Sequence, residues 1–376
     1  MRLTILFVFF SVAQAIGAIG HLNKTFNDPS RSRDIETDLY YPAATAGDNV
    51  PVTPGSYPLL VWGHGFLMDV GASMNVVNAL VDDGYIVALP KTEGGFLPNH
   101  EEFAKDLLFL MDYLTETENT STGSILFESF SGLAAIGGHS MGGGCSVLAG
   151  ELGAGNIHLK TIVNFGAADT NPSSIDAAVG VTVPVLLFAG GNDCVTPIAE
   201  HQQPIFNNLS STCKALVTLN GGSHCFFADD NTACSLGELI CNPAAEITRE
   251  EQHARTFSIM KPWMDIYLKG AGAAAVTSIQ QTWNNNAFYQ TDNACSTLSA
   301  PDLLPLTTWF RVGDGIYSFH SNGAYHYTLH QITGALLYSG SFTQSIQIDL
   351  SSNTPGMYLF TLYDVSGNPF TYKLIR

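Results

Sequence analysis

Short apolar runs alternate with amphipathic stretches along the first 270 residues. Leu59–Trp62, Tyr85–Leu89, Leu133–Ile136, Thr161–Phe165, Val183–Ala189 and Ala215–Leu219 are four- to seven-residue apolar runs bounded by Gly, Asn, Asp or Pro. That length and setting predict buried strands. Between them, 74–82 reads as a helix. Phe103, Leu107, Leu110, Met111 and Leu114 recur at helical spacing, with Glu101 and Glu102 where a first turn favours acids. A helix over 250–268 follows, whose Met260, Trp263, Met264 and Tyr267 are expected to pack on the sheet. Strands alternating with helices predict an α/β fold with a mostly parallel, doubly wound sheet. After Lys269 the pattern changes. A run rich in Ala, Asn, Ser and Thr reads as an irregular edge and linker, and period-two strands follow from about Leu306: 325–329, 345–350, 357–362 and 370–375. Gly334, Gly340, Pro355-Gly356 and Ser366-Gly367-Asn368-Pro369 are read as the breaks between them. These strands predict a small C-terminal all-β sandwich.

The chemistry concentrates at Gly138-His139-Ser140-Met141-Gly142, a G-x-S-x-G sequence between the 133–136 strand and the small-residue helix beginning near Gly143. That setting is a nucleophile elbow, in which a sharp strand-to-helix turn projects the serine hydroxyl. The partners follow in the order serine, acid, histidine. Asp193 lies in the turn leaving the 183–189 strand, and His224 in the loop after 215–219. A serine hydroxyl needs an imidazole to remove its proton and a carboxylate to orient that imidazole. Asp193 read alone is an ordinary turn residue, and Asp169 is the substitute acid. The N–H of Met141, next to the nucleophile, is one expected oxyanion donor. The N–H of Phe66, in the glycine loop Gly63-His64-Gly65-Phe66 after the first parallel strand, is the other.

With these pieces the chain resembles the α/β-hydrolase group of chlorophyllase-like esterases, dienelactone-hydrolase-like proteins, bacterial cutinases and poly(ethylene terephthalate) hydrolases. The likeness runs from about Asp38-Leu39-Tyr40-Tyr41-Pro42 to Trp263–Leu268 and rests on the elbow, the 63–66 loop, Asn192-Asp193 and Gly221-Gly222-Ser223-His224. It implies an α/β-hydrolase fold and a serine esterase that cleaves carboxylic esters, polymeric ones included, through an acyl-enzyme. It also implies that Phe66 clamps the acyl group and that Phe66, His139 and Met141 line the substrate pocket. The polyester hydrolases of this group carry a tryptophan in the loop that here reads Gly166-Ala167-Ala168-Asp169-Thr170-Asn171-Pro172. An aromatic platform would therefore have to come from elsewhere, such as Phe96 or Phe226. Segment 91–98 is closer to the chlorophyllase-like esterases. A peptidase of the same fold and a non-catalytic hydrolase-fold binding protein are the competing classes.

The formal charge of −18 over 376 residues argues against nucleic acid as partner. Arg2, the apolar run Leu3–Val12 and Ala13-Gln14-Ala15 read as a signal peptide over 1–15, so export to a secreted or cell-surface location is expected. No run is long enough to predict a transmembrane segment. Seven cysteines then suit an oxidising compartment. Cys145 is expected to be free and buried. Cys194 with Cys213 is a plausible disulfide clamp beside Asp193, while the pairing of Cys225, Cys234, Cys241 and Cys295 is open. Zinc held by His224, Cys225, Cys234 and Cys241 is the rival reading. No metal or organic cofactor is expected for the esterase. The domain reading is signal peptide 1–15, catalytic domain 16–295, linker 296–305 and β-domain 306–376, in a monomer. Pro355-Gly356-Met357-Tyr358, 363–367 and Tyr372–Arg376 make the tail resemble C-terminal sorting domains of the type IX secretion system. That resemblance implies the secretion machinery as a partner. A carbohydrate- or polymer-binding module is the alternative, with Trp309, Tyr317, Tyr325 and Tyr327 as its aromatics.

Overall fold

The computed structural model describes residues 17–295, 308–313, 315–320, 325–343, 345–363 and 369–376. The expected signal peptide and linker lie outside these residues. A ten-stranded sheet forms the centre of the larger unit. Its strands are β1 (Ala18–Asp28), β2 (Arg33–Ala43), β3 (Gly47–Asp48), β4 (Tyr57–Gly63), β5 (Ile86–Pro90), β6 (Phe130–His139), β7 (Leu159–Phe165), β8 (Val185–Gly190), β9 (Cys213–Leu219) and β10 (Tyr289–Cys295). Their spatial order is β10-β9-β8-β7-β6-β4-β5-β2-β1-β3. Strands β5, β4, β6, β7, β8 and β9 run parallel, and each of the six expected strands falls among them. Burial on both faces explains their unbroken apolar character.

Around the sheet lie α1 (Met74–Val81), α2 (His100–Asp112), α3 (Met141–Leu152), α4 (Ser174–Ala177), α5 (Gln202–Asn208), α6 (Thr232–Glu238), α7 (Arg249–Lys269) and α8 (Ala273–Trp283). Helix α2 starts where Asn99 accepts a hydrogen bond from the Glu102 N–H at 3.1 Å, a side-chain N-cap. Helix α7 begins the same way at Thr248 and ends at Gly270 in the left-handed conformation. Its Met260, Trp263, Met264 and Tyr267 are buried against the sheet, and the Trp263 indole donates to Thr161 Oγ1 of β7 at 2.8 Å. Two buried clusters result, one dominated by α2 and α3 and the other by α1, α7 and α8.

Several expectations need correction. Segment 273–295 is not irregular: α8 buries Ile279 and Trp283, and β10 pairs antiparallel with β9 from Tyr289↔Leu219 to Cys295↔Cys213. The long antiparallel pair β1–β2, in register from Ala18↔Ala43 to Asp28↔Arg33, had no clear signal because its polar and apolar residues do not alternate cleanly. Cys194 does not pair with Cys213. Strands β8 and β9 run in parallel register from Val185↔Lys214 to Gly190↔Leu219, so Cys213 lies beside the start of β8 and Cys194 beyond its end. Roughly a strand length, on the order of 20 Å, separates the two edges. The bridges are Cys194–Cys241, Cys213–Cys295 and Cys225–Cys234, with Cys145 free and buried.

The C-terminal strands are β11 (Thr308–Gly313), β12 (Ile316–His320), β13 (Tyr325–Gln331), β14 (Leu336–Phe342), β15 (Ser345–Asp349), β16 (Met357–Tyr363) and β17 (Pro369–Ile375). They form two antiparallel sheets, β11-β12-β15 and β14-β13-β16-β17. Phe319 and Ile348 from the first and Leu329, Phe360 and Leu374 from the second share one core. Gly340 is not a break but lies inside β14, where the Tyr327 ring occupies the space a Cβ would need, 2.9 Å away.

Candidate active site

Strand β6 ends at His139, Ser140 turns, and α3 begins at Met141. Ser140 has φ 56° and ψ −117°, a conformation strained for any residue with a Cβ and retained here by the packing around it. Its carbonyl accepts from Gly144 N at 3.1 Å and Ala168 N at 3.0 Å, and its N–H donates to Phe165 O at 2.9 Å. A Cβ on Gly142 would stand 2.2 Å from the Gly63 carbonyl oxygen, so glycine there lets the helix dock on the 63–66 loop. Consecutive glycines each weaken a helix by about 1 kcal/mol relative to alanine, and close burial of the whole first turn offsets this.

The loop after β8 carries Asp193 and the loop after β9 carries His224. The His224 Nδ1–H donates to Asp193 Oδ2 at 2.8 Å, and both side chains are almost fully shielded from solvent. Burial alone would raise the Asp193 pKa. The facing His224 ring and the Thr196 donors outweigh it and hold the carboxyl below its ordinary value. Asp193 Oδ1 takes the N–H groups of Val195 at 2.9 Å and Thr196 at 2.8 Å, and Oδ2 takes the Thr196 hydroxyl at 2.9 Å. Thr196 Oγ1 also accepts from Gln202 Nε2 at 3.1 Å, while the same amide nitrogen donates to Ala167 O at 2.7 Å. A Cβ on Gly166, whose φ is +52°, would stand 3.0 Å from His224 Nδ1. Thr196, Gln202 and Gly166 escaped the sequence reading, because none belongs to a motif and all act by supporting others.

The Asp169 carboxylate is engaged elsewhere. Its Oδ1 accepts from Ser173 Oγ at 2.9 Å, Ser174 Oγ at 3.2 Å and Ile175 N at 3.3 Å, holding the start of α4. His139 is buried beneath His224. Its ring lies 4.7 Å from the His224 ring, and its Nε2 donates to the His224 carbonyl at 3.1 Å. Burial, with the neighbouring His224 charge, lowers the His139 pKa to about 3, so the ring is neutral at working pH. Met141 is also buried, whereas Phe66 is 46% exposed. His64 fixes the 63–66 loop, its two ring nitrogens each 2.9 Å from a carbonyl, of Gly65 and of Thr92. Phe96 is largely exposed, and one face of Phe226 is covered by the Arg249 guanidinium 4.7 Å away.

Donor atoms of His139, His224 and Cys234 lie within 4.8 Å of one another. Cys234 is bonded to Cys225 and Cys241 to Cys194, so the sulfurs the zinc reading requires are not thiolates. Both bridges start directly after a candidate triad residue, at Asp193-Cys194 and His224-Cys225, and both end on segment 234–241.

The family model described as PET hydrolase-like matches residues 36–241, a span from β2 through the elbow, Asp193, His224 and Cys241. The chain belongs to the PET hydrolase-like family. It is similar to the cutinase est1 of Thermobifida alba, 30% identical over 135 residues, which are 36% of this chain and 42% of that protein. Similarity to a bis(hydroxyethyl) terephthalate hydrolase of Streptomyces coelicolor is 28% over 188 residues, 50% of this chain and 54% of the relative. Cutinase 1 of Thermobifida cellulosilytica matches at 31% over 107 residues, 28% and 38% of the two chains. The chain thus spans about half the length, or less, of the curated relatives it matches. For a member of this family, an elbow serine and a buried imidazole–carboxylate pair are the parts that nucleophilic acyl transfer requires.

Proposed function

We propose that this protein hydrolyses carboxylic esters through Ser140, His224 and Asp193. The observation that carries the reading is the buried His224–Asp193 hydrogen bond of 2.8 Å on loops next to the elbow serine. With Nδ1–H given to the carboxylate, Nε2 is the basic nitrogen. It takes the Ser140 proton as Oγ attacks the carbonyl carbon, and the N–H groups of Phe66 and Met141 receive the developing oxyanion. Collapse of the tetrahedral species breaks the ester C–O bond, and the imidazolium gives its proton to the leaving alcohol. Water then repeats the sequence on the acyl-enzyme, activated by the same imidazole, and releases the acid and free Ser140.

Neutral esters are the substrate class we infer, since a chain of formal charge −18 disfavours an anionic acyl group. The named activities of the cutinase and bis(hydroxyethyl) terephthalate hydrolase relatives favour hydrophobic or polymeric esters. Initial rates of purified chain and Ser140→Ala on p-nitrophenyl acetate, p-nitrophenyl hexanoate, a triglyceride, chlorophyll and a polyester film test the reading. Equal rates for the two proteins would refute it. The disulfides suit an exported protein, and we read the C-terminal sandwich as a sorting unit on the tail resemblance alone. Removal of 306–376 that abolishes export while soluble-ester turnover persists would support sorting, whereas lost adsorption to insoluble substrate would support a polymer-binding module.

A further inference from the structure

Segment 232–241 is attached on its inner side by polar and covalent contacts and offers its apolar side chains to solvent. Cys234 and Cys241 are bridged to Cys225 and Cys194. Glu238 Oε1 accepts from Cys225 N at 2.7 Å, and its Oε2 from Ser223 Oγ at 3.4 Å. Leu236, Leu239 and Ile240 are 62%, 76% and 87% exposed. An ordinary surface segment does the reverse, burying leucines and exposing carboxylates. Two disulfides and the Glu238 hydrogen bonds tie the segment down on the side opposite these side chains.

The face is continuous with the catalytic loops. Cys234 packs against the cluster of Met68, Ala72 and Ala228, whose Met68 follows the Phe66 loop, and its sulfur is within 4.8 Å of a His224 ring nitrogen. Val195, two residues after Asp193, is half-exposed beneath Gly237.

We propose that Leu236, Leu239 and Ile240 form a fixed apolar platform that docks the protein on the surface of a water-insoluble, uncharged ester and so presents that surface to Ser140. The proposal rests on the ester-hydrolase reading for its substrate and deepens it by naming the residues that meet the solid or aggregated phase. An apolar patch beside a catalytic centre marks an interaction site. The chain's charge of −18 opposes an anionic lipid surface and leaves a neutral one as the occupant.

The test uses the full chain with Leu236→Ser, Leu239→Ser and Ile240→Ser combined. Depletion of the Ser140→Ala protein from solution by particles of an uncharged aliphatic polyester is compared with and without the triple change. The ratio of turnover on the same polyester to turnover on dissolved p-nitrophenyl acetate is compared in proteins that retain Ser140. Expected are a tenfold or greater loss of particle affinity and a fall of similar size in the turnover ratio. Unchanged depletion, or equal losses on dissolved and insoluble ester, overturns the platform. So does adsorption to anionic phosphatidylglycerol vesicles in preference to polyester. A wild-type chain that cleaves no ester refutes the activity instead, and depletion still decides the platform. Should the triple variant misfold by circular dichroism, Ile240→Asn alone, at the most exposed position, carries the same comparison.

Discussion

At the residue scale, Asp193 is held by four donors while Asp169 spends its acceptors on a helix start. Ser140→Ala and His224→Ala are each expected to lower kcat/KM on p-nitrophenyl acetate by about 10⁴-fold or more with folding retained. Asp193→Asn should also lower it by orders of magnitude, and Asp169→Asn should leave turnover within about threefold of wild type. If only the Asp169 change were damaging, the acid assignment would be wrong. Because the Asp193 pKa is lowered in the folded state, its contribution to stability is present above the unfolded value and is lost as pH falls through the lower folded one. Thr196→Val removes one donor to that carboxylate, so acid unfolding should begin at higher pH than in wild type. A coincident pH-melting curve would remove Thr196 from this role. Phe66, half in solvent, is expected to act on substrate choice. Phe66→Ala keeps the N–H and should reduce turnover of bulky or aromatic esters by about ten- to hundredfold relative to p-nitrophenyl acetate. Equal loss on every acyl size would mean that the loop collapsed.

At the element scale the three disulfides divide the work. Cys213–Cys295 staples the edge pair β9–β10 and encloses 82 residues of separation, whereas Cys225–Cys234 closes a separation of only 9. Chain-entropy estimates give about 4–5 kcal/mol for the first and about 2–3 kcal/mol for the second. Cys213→Ser with Cys295→Ser should therefore lower Tm with little change in kcat/KM for a dissolved ester. Replacing Cys194, Cys225, Cys234 and Cys241 by serine should lower kcat/KM well below what the Tm change alone explains, since both bridges anchor the loops of Asp193 and His224. Parallel melting and kinetic measurements distinguish these, and the reverse pattern would disprove the division. The bridges also depend on strand direction. The periodicity located β8 and β9 correctly, but Cys194 and Cys213, 19 positions apart and flanking one crossover, stand at opposite edges of the sheet. Direction of travel along a strand, which a list of spacings omits, decides which cysteines meet.

At the scale of the whole molecule, two hydrophobic clusters and a ten-stranded sheet support the site, and a separate core holds the C-terminal sheets. The proposed mechanism relies on backbone N–H groups for charge stabilisation, so exhaustive chelation is expected to leave ester turnover intact. Loss of activity on chelation, restored by zinc, would contradict it. Among the described residues no helix is long and apolar enough to cross a membrane.

The linear sequence determined what depends on local pattern. Buried parallel strands need continuous apolar runs, and the elbow needs glycines around its serine. The order Ser140, Asp193, His224 follows the order of the strands that carry them. Strands without such a pattern, β1, β2, β10 and β14, were legible only in three dimensions, because their stability comes from pairing with neighbours remote in the chain. Tertiary structure alone decided that Asp193 rather than Asp169 meets His224, that Thr196 and Gln202 support the pair, and that His139 lies beneath it. It also turned Leu236, Leu239 and Ile240 outward beside the catalytic loops. Each is a question of distance between residues whose separation along the chain carries no spatial information until the sheet has set the register.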